Sequence, residues 1–202
     1  LWHLIMKAIH IQNPGKNSSL FIDEAPTPEP KANEILIKIE ATALNRADLL
    51  QRTGNYPVPE GASEILGLEM SGIVEEVGPE VTEWEIGDHV FGLLPGGGYA
   101  EYCVIHEDMA MAKPENLSFE EAAAIPETFL TAFQALDWLA ELQEQETVLI
   151  HAAASGVGTS AIQLANQLYD AQIIATAGKQ HKLDTAQQLG ATPRGDFVGE
   201  DY

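Results

Sequence analysis

Thr147-Val148-Leu149-Ile150-His151-Ala152-Ala153-Ala154-Ser155-Gly156-Val157-Gly158-Thr159-Ser160-Ala161 joins a short apolar run to a turn of small residues, and then to a helical pattern reaching Leu168. The apolar run has the length and β-branched content of a buried strand. Within the turn, Gly156-x-Gly158-x-x-Ala161 fits the dinucleotide-binding fingerprint in its Ala-ended form. Positions without bulky side chains let the backbone approach a pyrophosphate, whose charge is met by unpaired N–H groups and the positive end of a helix dipole. A glycine motif alone carries little weight. A strand before it and a helix after it supply the context that gives it meaning. Ser155, Gly156, Val157 and Gly158 are therefore the expected phosphate-binding residues, and an ordinary tight turn is the alternative.

Downstream the alternation repeats. Gln172 to Ala177 reads as a second strand and Lys182 to Leu189 as a second helix closed by Gly190, which makes a βαβα run of a parallel sheet. An NAD site would place Asp or Glu about 20 residues beyond the glycines, to bond the ribose 2′-hydroxyl. This chain has Ala177-Gly178-Lys179-Gln180-His181-Lys182 there instead. Two lysines without a carboxylate suit a 2′-phosphate, so NADPH is expected over NADH, with Gly178, Lys179 and above all Lys182 as contacts. Ordinary solvated residues at a helix start are the competing reading.

Upstream the signals differ. Lys7 to Gln12, Leu20 to Asp23, Glu34 to Ala43, Ser71 to Val77, Asp88 to Leu93 and Tyr99 to Ile105 read as short strands, with one short helix from Arg46 to Arg52. Gly-Pro and Gly-Asp turns and a Pro-rich segment from Pro26 to Pro30 punctuate them, as in a barrel-like β unit. After Pro114, Ser118-Phe119-Glu120-Glu121 spells a capping box, and Phe129 to Leu142 has helical apolar spacing. Residues 6–125 are expected to form the β domain and 126–202 an α/β domain. The five residues before Met6 share no pattern with the strands of the β unit and have no part in the expected fold.

Composition narrows the function classes. Ten Lys and Arg against 31 Asp and Glu leave a net charge of −21, which repels phosphate backbones and anionic lipid heads. Nucleic acid and membrane partners are disfavoured, and no apolar run approaches the ~20 residues of a membrane span. The single Cys103 excludes an internal disulfide and suits a reducing, cytoplasmic setting.

Several motifs together carry a family likeness. They are Ala43-Leu44-Asn45-Arg46-Ala47-Asp48-Leu49-Leu50-Gln51-Arg52, Tyr56-Pro57, Ile65-Leu66-Gly67-Leu68-Glu69-x-Ser71-Gly72, Leu93-Leu94-Pro95-Gly96-Gly97-Gly98 and Ala122-Ala123-Ala124-Ile125-Pro126-Glu127, besides the glycine turn. The chain resembles the zinc-free quinone oxidoreductases of the medium-chain dehydrogenase/reductase superfamily, and most of all their p53-inducible group. The resemblance implies a GroES-like β-barrel catalytic domain followed by a Rossmann domain, with NADPH and a quinone in the cleft between them. Asn45 stands where zinc-dependent relatives have Cys, and Leu68 where they have His. Neither replaces a thiolate or an imidazole, so no metal is expected. By the same resemblance Tyr56 points its hydroxyl at the substrate carbonyl, Asn45 and Asp48 line the pocket, and Thr131 lies near the nicotinamide.

Each of these residues has a second reading. Tyr56 can pack a loop, Asn45 can satisfy backbone groups, and Asp48 can cap the short helix. Glu69 reads as a buried structural carboxylate, with no partner visible in the sequence. The Gly96-Gly97-Gly98 run reads as a cofactor contact or a flexible turn. An NADPH-dependent enone or alkenal reductase is the alternative activity, and an inactive binding module the alternative class. Dimers are common in the family. A Rossmann domain needs about six strands, whereas after Gly190 only Phe197-Val198 could start a third, so a C-terminally truncated Rossmann half is expected.

Overall fold

In the computed structural model, which describes residues 5–192, the apolar runs of the first half pair into antiparallel strands. β1 (Ile5–Gln12) and β2 (Ser19–Pro26) form a two-stranded sheet. β3 (Glu34–Thr42), β4 (Glu69–Val77), β5 (His89–Leu93), β6 (Tyr102–His106) and β7 (Ala110–Ala112) form a second sheet in the order β6-β3-β4-β5-β7. β3 sits between two partners, and Ile35, Leu36 and Ile37 are all buried, so its apolar residues run consecutively there rather than alternating. Two register shifts in the β3–β4 ladder bend this sheet. Its core is built on Ile35, Ile37, Met70, Val74, Val90 and Ile105.

The expected strand from Tyr99 to Ile105 divides in two. Ala100 bridges Ala8 of β1, and the N–H of Ile9 bonds to the Tyr99 carbonyl at 2.8 Å, whereas β6 begins only at Tyr102 and pairs with β3. One segment thus changes partner midway. β7 follows a 3-10 turn (Glu107–Met109) and is too short to leave a periodic signal.

α1 (Arg46–Arg52) matches the expected helix end for end. α2 (Phe119–Ala123) opens on the capping box: Ser118 Oγ accepts from the Glu121 N–H at 3.1 Å, and Glu121 accepts from the Ser118 N–H at 2.8 Å. α3 (Pro126–Phe133) is followed by a π-helical turn over Gln134–Leu139, where the Ala140 N–H reaches back to the Ala135 carbonyl at 3.0 Å. The sequence spacing suggests one regular helix to Leu142. Leu136 and Leu142 both enter the core, although six residues set them on different faces of a regular helix. The widened turn and the left-handed backbone of Glu141 (φ 50°) bring the chain round.

β8 (Thr147–Ile150), α4 (Gly156–Tyr169), β9 (Gln172–Ala175) and α5 (Gln180–Gln188) form the second unit. β8 and β9 pair in parallel from Thr147↔Gln172 to Ile150↔Ala175. After α5 the chain returns beside β9: Thr192 bridges Ile174 in parallel, and its N–H bonds to the Ile173 carbonyl at 2.9 Å. Phe197 and Val198 lie outside the described residues. Gly190 adopts φ +117° just past α5, where a Cβ would come 2.6 Å from the Asn166 amide, so both conformation and space require glycine there. The contacts divide the chain into two units, one running to Glu127 and the other starting at Thr128.

Candidate active site

In the first unit the site residues gather where α1 meets the start of β4. Asn45 is the N-cap of α1, with extended backbone (φ −121°, ψ 157°), and its N–H bonds to Asp48 Oδ2 at 2.7 Å. An acidic residue in the first turn complements the helix dipole, which explains the Asn-x-x-Asp spacing locally. Asp48 is only 4% exposed and takes two further donors: the Gly67 N–H at 3.3 Å and the Tyr99 hydroxyl at 2.9 Å. Its oxygens are thus committed to holding three pieces of chain together.

Gly67 makes this approach feasible. It has φ +102°, and a Cβ there would lie 2.6 Å from Gly98 Cα and from Tyr99. The Gly96-Gly97-Gly98 run is buried, with the Gly97, Gly98 and Tyr99 N–H groups bonding to the carbonyls of Ile65, Gly67 and Leu66. These glycines serve close backbone packing that delivers Tyr99 to Asp48.

Glu69, 1% exposed at the head of β4, accepts from Asn45 Nδ2 at 2.7 Å through Oε1 and from the Glu127 N–H at 2.9 Å through Oε2. Burial pushes its carboxyl above the ordinary range; the bonds from Glu127 and Asn45 pull it down, and the Asp48 charge raises it again. Burial and the Asp48 carboxylate also raise the Tyr99 phenol, so that it stays a neutral donor. Sequence reading does not bring Tyr99 and Glu127 into the site, because their partners lie far away along the chain.

Tyr56 stands in the loop after α1, 37% exposed, and the hydrogen bonds of Asn45 and Asp48 go to other residues. Leu68 is buried beside Glu69 in sequence. Among the described residues, no three His, Cys, Asp or Glu side chains are grouped to hold a metal ion. Cys103 is buried, and desolvation pushes its thiol up to about 12.

In the second unit the loops after β8 and β9 emerge at the same sheet edge, because the strands are parallel. They are tied together: the Thr176 N–H bonds to the Ile150 carbonyl at 3.0 Å, the Ala153 N–H to the Thr176 carbonyl at 3.0 Å, and His151 Nδ1 lies 2.9 Å from Thr176 Oγ1. Ser155 is the N-cap of α4, its Oγ accepting from the Gly158 N–H at 3.1 Å. The first N–H groups of the helix, those of Gly156 and Val157, have no intrahelical acceptor. No acidic residue occupies the first turn of α4. At Gly158 a Cβ would come 2.5 Å from the Ala152 carbonyl oxygen and 2.8 Å from Ala153, so the turn closes only around glycine. Ala152 takes a left-handed φ of 50° to make it. Beneath Gly156, Ser160 Oγ donates to Thr128 Oγ1 at 3.0 Å.

α5 starts two residues earlier than the sequence suggests, so that Lys179 is its N-cap and Lys182 lies in its first turn. Both lysines are exposed, and neither forms an ion pair among the described residues. Gly178 has open space around it, and Thr131 is exposed on α3. These groups could hold a dinucleotide: N–H groups without intrahelical acceptors at a helix start, a hydroxyl beside them, and two cations at the start of α5.

Residues 31–115 match the alcohol dehydrogenase GroES-like domain. A synaptic vesicle membrane protein VAT-1 homolog from Danio rerio is 36% identical over 175 residues, which cover 87% of this chain and 36% of that protein. The quinone oxidoreductase of Coxiella burnetii superposes with a TM-score of 0.84 at 39% identity, over 98% of this chain and 64% of that one. The Escherichia coli quinone oxidoreductase, solved in complex with NADPH, gives 0.83 at 33% identity, over 96% and 60%. The chain thus spans about a third of the Danio rerio relative's length. Its fold is a GroES-like domain followed by part of a Rossmann domain.

Proposed function

The chain belongs to the medium-chain dehydrogenase/reductase superfamily, in its quinone oxidoreductase-like group, and from that premise we propose that it carries out NADPH-dependent reduction of a quinone without zinc. The observation that carries this reading is the turn closed around Gly158 at the head of α4, with Lys179 and Lys182 at the start of α5. The Gly156 and Val157 N–H groups and the Ser155 hydroxyl would hold the pyrophosphate, and the two lysines the 2′-phosphate. Thr131 is assigned to the nicotinamide side of the site. NADPH supplies a hydride when bound.

The remaining work falls to the first unit. A quinone carbonyl is already electrophilic, so orientation and stabilisation of negative charge on its oxygen are the main tasks. Asn45 donates one amide N–H to Glu69 and has a second for a substrate oxygen. Tyr56 supplies a phenol from a partly exposed loop. Asp48 orients Asn45 and Tyr99 rather than exchanging protons, because three donors already occupy its oxygens. Zinc is excluded from this proposal by donor chemistry: an amide at Asn45 and a hydrocarbon at Leu68 offer no thiolate or imidazole. No helix among the described residues is long and apolar enough to cross a membrane. We assign a cytoplasmic setting, which suits a lone, buried Cys103.

NADPH consumption by the purified protein, with an ortho- or para-quinone set against an enone, tests the assignment. Turnover of the quinone supports it. Turnover of the enone alone moves the activity to a double-bond reductase, and NADPH binding without turnover of either leaves a binding module. Quinone reduction surviving N45A and Y56F together removes those two residues from the site.

A further inference from the structure

We propose that Glu69 is a positioning residue for this reduction, its buried carboxylate fixing which atoms of the Asn45 amide face the substrate. The inference rests on the quinone reductase reading above. The oxygen and nitrogen of an asparagine amide are nearly the same size, so its orientation is decided by its partners. Glu69 Oε1 lies 2.7 Å from Asn45 Nδ2 and can only accept when ionised, so the flipped amide would set a carbonyl oxygen against a carboxylate. The Asn45 backbone is fixed independently, by its N–H bond to Asp48 at 2.7 Å. With backbone and amide both held, a single side-chain N–H remains for another partner.

A second observation separates Glu69 from an ordinary structural group. It is 1% exposed, its carboxylate has no Lys, Arg or His ion pair among the described residues, and the nearby charges of Asp48 and Glu127 are of the same sign. A buried carboxylate without a cation is costly compared with a neutral amide of the same shape. A fold needing only a hydrogen bond at the head of α3 could take it from glutamine. Only a carboxylate accepts from Asn45 Nδ2 and the Glu127 N–H at once without presenting a donor of its own.

Two variants test this: E69Q, and the exchange N45D/E69Q, which restores the hydrogen bond and the charge with donor and acceptor reversed. We expect E69Q to lower kcat for the quinone about tenfold, with KM for NADPH changed less than about twofold. In the exchange variant the melting temperature returns toward the parent value while kcat stays low, because residue 45 now presents a carboxylate. Recovery of kcat along with stability, or an E69Q variant retaining kcat within about twofold, overturns the inference. If E69Q alone fails to fold, the exchange variant decides. The Asn45 side-chain amide signal in 15N NMR gives a readout that needs no turnover: it shifts in E69Q if Glu69 holds the amide, and an unmoved signal overturns the inference. A parent protein that reduces no quinone defeats the functional reading instead, before any variant is made.

Discussion

The Tyr99 hydroxyl donates to Asp48 Oδ2 at 2.9 Å, joining residues 51 apart in sequence. Asp48 also holds the Asn45 and Gly67 N–H groups, so this bond ties the glycine-rich segment, the head of α1 and the approach to β4 at one carboxylate. Y99F keeps the ring and removes the donor. It should cost about 1.5–3 kcal/mol in urea unfolding, as for a bond to a charged group. Quinone turnover should fall with it, because Asn45 leans on the same carboxylate. A variant as stable as the parent would show that Tyr99 does not support Asp48.

The pH dependence of stability follows from Glu69. Burial first, then the Asp48 charge, raise its folded-state carboxyl against the bonds from Glu127 and Asn45, and Glu127 is itself raised by burial, then by Glu69 and Asp48. An acid with a raised folded value keeps its proton over a window in which the unfolded chain has released it. Stability from this source therefore rises as pH falls through the raised value, and is complete below the ordinary glutamate value of 4.5. The stability difference between parent and E69Q should move in the parent's favour on acidification from about pH 7 through that window. Urea midpoints at a series of pH values measure this, and a constant difference would show that Glu69 does not titrate there.

Two glycines of the proposed cofactor site differ in their tolerance of a methyl group. At Gly158 a Cβ would meet backbone atoms at 2.5 and 2.8 Å, which cannot rotate away, whereas at Gly178 nothing lies within 4 Å. G158A should destabilise the protein by about 1–3 kcal/mol and weaken NADPH binding at least about tenfold. G178A should stay within about 0.5 kcal/mol of the parent in stability. Thermal unfolding with isothermal titration of NADPH separates the two, and equal effects would show that the turn is not closed around Gly158.

Much of this was legible from local signals. The capping box at Ser118 and Glu121, the span of α1, and the strand, turn and helix around Gly156 depend on neighbours a few residues apart, which sequence displays directly. The polar cluster was not legible. Asn45 and Asp48 could be named through resemblance, but the partner of Glu69 lies 24 residues upstream and that of Tyr99 51 upstream, and no periodicity encodes such pairs. The turn after α3 escaped for another reason: apolar spacing registers which residues are buried, not that a widened turn carries Leu136 and Leu142 to the same core.

The proposed preference for NADPH is tested most directly in the second unit. Lys179 is the N-cap residue of α5 and Lys182 lies in its first turn, both exposed and without ion pairs among the described residues, while Thr176 and Ala177 follow β9 where an NAD site needs a carboxylate. A lysine within reach of a 2′-phosphate gains a charge-assisted contact that NADH cannot make. K179A/K182A should raise the NADPH Kd about tenfold or more and leave the NADH Kd within about twofold, so the preference narrows through loss of one partner. Fluorescence titration of both nucleotides at a single ionic strength measures this, since salt screens exposed charges. Equal weakening for NADPH and NADH would show that the lysines act on the shared pyrophosphate, and no change for either would remove them from the site.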